Sequence, residues 1–106
     1  MSTDALRPAH GARYVLERED ATEDGTRAVY RGEVVTAEAA IAYRVEMSDD
    51  GGVILKAVHD AALSDQEAML SMIARLTARG AAARRADGLQ PWPARVTRWR
   101  GPGRGA

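Results

Sequence analysis

Between Ala39 and Met47 the side chains Ile41, Tyr43, Val45 and Met47 alternate with Ala40, Ala42, Arg44 and Glu46, a period of two that an extended strand sends to opposite faces. A central strand of a parallel sheet is covered on both sides and apolar throughout. The alternation therefore calls for an antiparallel sheet with one face buried and the other wet. Ser48-Asp49-Asp50-Gly51-Gly52 follows with the short polar residues of a hairpin loop and glycines suited to positive φ, and Val53 to Val58 returns as the partner strand. Two further β-prone runs lie upstream, Tyr14 to Arg18 and Arg27 to Val35. The second places Tyr30 and Val34 on one side and Arg31 and Glu33 on the other, with Gly32 reading as a bulge position. The stretch Glu19 to Gly25 between them carries like charges that repel and a glycine that permits a turn, and it reads as a solvated loop.

Ser64-Asp65-Gln66-Glu67 has the spacing of a capping box and predicts a helix start. Beyond it Met69, Met72, Ile73 and Leu76 fall at i, i+3, i+4 and i+7, and Gly80 and Ala83 continue that stripe with small side chains. Glycine disfavours a helix interior by about 1 kcal/mol relative to alanine, so two ends compete, one near Arg79 and one near Ala86, with Asp87-Gly88 stopping the helix in either case. Pro91 and Pro93 exclude a helix through the last segment, which predicts a short strand from Ala94 to Trp99. The expected fold class is α+β. A four-stranded antiparallel β-meander carries one amphipathic helix across one face and gains a fifth, C-terminal strand. Its core comprises Tyr30, Val34, Ile41, Tyr43, Val45, Leu55, Met69, Ile73 and Leu76. Residues 1–12 are expected to be a disordered leader, 13–100 a single domain and 101–106 a disordered tail.

The 106 residues include no cysteine, which removes disulfides, thiolate metal ligands and a thiol nucleophile, and suits a reducing, cytoplasmic compartment. No long apolar run predicts a membrane span, and the first residues lack the basic and apolar regions of a signal peptide. No phosphate-binding glycine motif or calcium-loop spacing occurs, so no cofactor and no metal are expected. His59-Asp60 alone pairs a base with a carboxylate. Adjacent residues of a strand point to opposite faces, so this pair predicts no catalysis.

Charge is unevenly spread. From Arg75 onward there are eight arginines and one acid, Asp87, a net of +7, whereas the rest of the chain holds seven basic and fourteen acidic side chains, a net of −7. Arg75, Arg79, Arg84, Arg85, Arg95, Arg98 and Arg100, with Trp92 and Trp99, form the candidate binding surface. Clustered arginine neutralises phosphate and indole rings stack on bases, so single-stranded RNA or DNA is one partner class. Fourteen of the fifteen basic residues are arginine, however, which makes arginine density weak evidence for phosphate recognition in this chain. A competing reading has the basic residues complementing the helix dipole and folding back on the acidic sheet, while the tryptophans pin the C-terminal segment in a chain that lacks phenylalanine. The leading expectation is a small non-enzymatic domain that binds protein, or itself as a homodimer through a sheet edge. Nucleic-acid binding is the alternative, and an enzyme using His59 and Asp60 a distant third.

Overall fold

The alternating run forms β3 (Ala40–Ser48), and its neighbours in sequence become its neighbours in space. A computed structural model describes residues 11–58 and 64–100. In it β1 (Ala12–Ala21), β2 (Arg27–Thr36), β3 and β4 (Val53–Ala57) form an antiparallel meander, α1 (Ser64–Ala86) crosses it, and β5 (Arg95–Arg100) pairs antiparallel with β1. The five strands lie in the order β4-β3-β2-β1-β5, so the fold is α+β with one helix packed on a single sheet. Of the leader expected at residues 1–12, residues 1–10 lie outside the described residues, while Ala12 is the buried first residue of β1; the tail expected at 101–106, the His59-Asp60 pair and the Ser64 side chain on which the capping box depends also lie outside them.

The face under α1 is apolar. Leu16, Tyr30, Val34, Tyr43, Val45 and Met47 are buried there against Leu70, Ile73, Ala74, Ala78 and Ala81 of the helix. The opposite face carries Arg31, Glu33, Arg44, Glu46 and Lys56, as the alternation requires. Glu46 sits 3.1 Å from Arg44 and 4.0 Å from Lys56, exposed pairs that contribute little to stability. Val15 and Val35 are also buried on this second face, at the end where the Arg13 guanidinium lies 5.6 Å from the centre of the Trp99 ring.

Three local expectations are corrected. The helix turns a different side to the sheet: the buried stripe is Leu70, Ile73, Ala74, Thr77, Ala78 and Ala81, one residue on from the predicted one. One residue is about 100° of rotation. Leu76 is consequently 57 % exposed, Met72 is exposed, and Met69 and Leu55 are only partly buried against the core. Small alanines let the helix axis approach the sheet, and that close packing outweighs burying the larger Met72 and Leu76. Gly32, secondly, is not a bulge. Its register with Leu16 and Tyr43 is unbroken, and a Cβ there would lie 3.0 Å from Val45 and 3.2 Å from Leu70, so the glycine makes room for the helix. Thirdly, β1 does not stop at Arg18. The register shift lies between Arg18 and Asp20, and beyond this bulge the strand runs on to Ala21.

The β1–β2 turn is organised by Asp24, whose Oδ1 accepts from the Thr22 and Thr26 hydroxyls, both at 2.7 Å, and from the Thr26 N–H at 3.1 Å. Those hydrogen bonds hold its carboxyl down at about 2, from an ordinary value of 3.8. A depressed pKa means that the contribution is present above the unfolded value and lost as pH falls through the folded one. The Asp24 carboxyl carbon should therefore titrate near pH 2 in an NMR titration of the folded protein. A midpoint near 4, the ordinary carboxylate range, would show that the turn hydrogen bonds do not form. In the β3–β4 turn Asp50 plays the same part, accepting from the Ser48 hydroxyl at 2.6 Å and the Gly52 N–H at 2.8 Å, and only Gly51, not Gly52, has positive φ.

α1 runs through Gly80 to Ala86, the longer of the two predicted ends. Gly88, at φ 76°, closes it: the Leu89 N–H donates to Arg84 O at 2.9 Å and the Gly88 N–H to Arg85 O at 3.0 Å, the paired bonds of a Schellman stop. No helix of the described residues is long and apolar enough to cross a membrane.

Candidate functional site

The basic, tryptophan-bearing segment divides into two parts with different work. The first is a latch. Pro91 and Pro93 keep the segment between α1 and β5 out of a helix, the chain bends at Pro91 and Trp92, and Trp92 enters the core with 0 % exposure. Its ring meets Tyr30 edge-on at 6.5 Å between centroids, and its indole N–H donates to Gly25 O at 2.9 Å. The Tyr30 hydroxyl donates to Pro93 O at 2.6 Å, and Arg18 donates to Trp92 O. Burial pushes the Tyr30 hydroxyl up to about 12, so it remains a donor throughout the physiological range, and any stability it adds is lost only as pH rises above 10.

Two of the candidate arginines belong to this latch. Arg84 donates from Nε to Pro91 O and from Nη2 to Thr77 O, each at 2.7 Å, with its guanidinium lying over Gly80 where a Cβ would collide with it. Arg85 donates to Gly25 O at 2.9 Å and pairs with Asp49 at 2.8 Å. The helix end is thereby tied to both hairpin turns. Gly25 has φ 74° and would place a Cβ 3.1 Å from Pro91 and 3.2 Å from Arg85, so the backbone conformation and the packing both demand glycine.

The second part is the flank formed by β5 and the adjoining side of α1. Arg98 and Arg100 lie on the helix-facing side of β5, opposite Tyr14 and Ala12, while Arg95 and Trp99 lie on the other side, opposite Glu17 and Arg13. Between strand and helix is a groove of about 180 Å³ lined by Ile73, Leu76, Val96, Pro93, Thr77 and the three arginines 84, 98 and 100. No acidic residue among the described ones lines it. Among the described residues Arg98 and Arg100 form no ion pair, and their hydrogen bonds go to the neighbouring carbonyls of Thr97 and Trp99. Asp65 is close enough to influence Tyr14, whose hydroxyl burial pushes up, but it makes no ion pair with Arg100. Arg75 and Arg79 are exposed on α1, and Arg79 lies against the Gly51 turn, away from this groove.

The structure therefore gathers Arg98 and Arg100 in the lining of a cleft that also holds Ile73, Leu76 and Val96, commits Arg84, Arg85 and Trp92 to the latch, and puts Trp99, 42 % exposed, on the opposite face. Leu76 is the groove residue that sequence reasoning assigned to the core. The signal that could have found it is the second, alanine-rich stripe of α1. No group of three or more His, Asp or Glu side chains among the described residues is placed to hold a metal ion. No family model, curated protein or solved structure matches the chain.

Proposed function

We propose that the chain is a non-enzymatic protein-interaction domain that docks its partner on the flank made by β5 and α1. The observation that carries this reading is the coincidence, at one place, of a strand edge, a mixed cleft with Leu76 and Val96 in its lining, and two arginines without an anionic partner among the described residues. An exposed leucine beside uncompensated cations is suited to a complementary surface that is part apolar and part acidic.

Nucleic acid is the less favoured partner. Stacking on bases needs an exposed aromatic ring on the side that carries the phosphate contacts. Here Trp92 is buried, and Trp99 stacks with Arg13 on the face away from Arg98 and Arg100.

The test is a pull-down from the source cell with the wild-type chain and the Arg98→Glu/Arg100→Glu variant. A stoichiometric protein should be recovered by the first and reduced at least about tenfold with the second, since reversing two charges in a complementary interface converts attraction to repulsion. Equal recovery by both would move the interaction elsewhere on the molecule, and recovery of none would count against an interaction domain.

A further inference from the structure

β5 is an edge strand, and its pairing with β1 identifies which of its backbone groups face outward. The Arg18 N–H bonds Ala94 O at 3.0 Å, and in an antiparallel ladder every second residue bonds to the same neighbour. Val96, Arg98 and Arg100 therefore address β1, while Thr97 and Trp99 turn their N–H and C=O groups away from the sheet. The two outward carbonyls are covered by this chain's own side chains: Arg98 Nη1 donates to Thr97 O at 2.8 Å and Arg100 Nη1 to Trp99 O at 2.9 Å. An uncovered edge is a template for indiscriminate pairing, and charged side chains are a usual guard. This guard has a particular chemistry. The guanidinium groups hold neutral carbonyls in solvent, and a carboxylate is a stronger acceptor for the same donors.

We infer that the partner of this flank is an acidic segment in extended conformation, which adds to β5 as a sixth strand and draws Arg98 and Arg100 off the carbonyls they cover. The inference rests on the docking reading above and gives that surface its ligand. Once released, Thr97 O and Trp99 O accept from the incoming backbone, and the Thr97 and Trp99 N–H groups donate to it. Residues two apart in a strand share a face, which sets the pattern: an apolar side chain level with Val96 enters the groove beside Leu76 and Ile73, and acids level with Arg98 and Arg100 pair with their guanidinium groups. The motif is apolar-x-acidic-x-acidic, in either chain direction. A neutral strand meets carbonyls that remain covered. The edge is thus closed to indiscriminate pairing and open to acidic segments.

The probe is a synthetic peptide Glu-Thr-Glu-Thr-Leu-Thr-Glu-Thr-Glu, which presents the motif in both directions, compared with its Gln-for-Glu counterpart against the full chain. The Glu peptide should bind about tenfold more tightly, an advantage that disappears in the Arg98→Gln/Arg100→Gln variant. Its binding should protect the Thr97 and Trp99 amides from hydrogen exchange. Equal affinity for the two peptides, retention of the preference in the variant, or binding without protection of those amides would each overturn strand addition. So would doubling of the chain's mass in light scattering without peptide, which would make a second copy the occupant. Should neither peptide bind while the pull-down partner still depends on Arg98 and Arg100, the acidic-strand inference falls and the docking surface stands. Displacement of the peptide by a single-stranded RNA whose binding falls steeply with salt would remove both.

Discussion

Replacing Trp92 with alanine should lower the unfolding free energy by about 3–5 kcal/mol, a large share of the roughly 5–15 kcal/mol typical of a whole domain. The side chain is fully buried among residues that cannot easily close over the space it leaves: Tyr30 is held by its bond to Pro93 O, Gly25 lies in a constrained turn, and Arg85 is tied to Asp49. The lost indole N–H adds little, because Gly25 O retains the Arg85 donor. Cavity and transfer terms therefore dominate. Trp99→Ala serves as the control. That ring is 42 % exposed and its stacking on Arg13 contributes about 0.5–1 kcal/mol at such a site, so the denaturant midpoint should move by a small fraction of the Trp92 shift. Urea unfolding of the two variants measures the contrast, and equal midpoints would contradict the division of the segment into latch and flank.

The second large effect concerns the face that α1 presents. Leu70→Ala should cost about 2–5 kcal/mol, because its side chain is wholly buried beside Gly32, whereas Leu76→Ala should change stability by less than about 0.5 kcal/mol. Sequence periodicity alone ranks them the other way, with Leu76 in the core stripe and Leu70 off it. The pair thus separates two helix orientations that differ by one residue. Comparable losses at both positions would place the helix between them, and a larger loss at Leu76 would restore the predicted face.

This difference shows where local pattern ceases to determine structure. The strands were legible because alternation is a yes-or-no signal: Ile41, Tyr43, Val45 and Met47 can share only one face, and the polar residues between them only the other. The hairpin at Ser48–Gly52 and the stop at Asp87-Gly88 were legible for a similar reason, since few residue types serve those conformations. The α1 sequence instead contains two overlapping stripes that share Ile73. Hydrophobicity favours the one with Met72 and Leu76, while proximity to the sheet favours the one with Ala74, Ala78 and Ala81. Only the tertiary arrangement, including the space left at Gly32, decides between them. The continuation of β1 past Glu19 was hidden in the same way, because the acidic run that reads as a loop is tolerated at a bulge followed by a turn fastened at Asp24.

The candidate surface was partly legible. Composition identified the segment, and nothing local could separate its members. Arg84 and Arg98 are equivalent as letters, yet one donates to Thr77 O and Pro91 O inside the latch and the other guards an open edge. Trp92 differs from Trp99 in sequence chiefly by its flanking prolines, and the chain bends at Pro91 and Trp92 as the indole enters the core. The +7 charge of the last third is accordingly divided between holding the fold and facing outward.

The claim on which the rest depends is that Trp92, and not Trp99, closes the fold and so frees β5 to act as a docking edge. Acrylamide quenching of the Trp99→Phe variant, in which Trp92 is the only fluorophore of its kind, tests it most directly. With Trp92 buried, the emission should be blue-shifted and almost unaffected by quencher. Red-shifted, readily quenched emission from the folded variant would place Trp92 in solvent and contradict the claim.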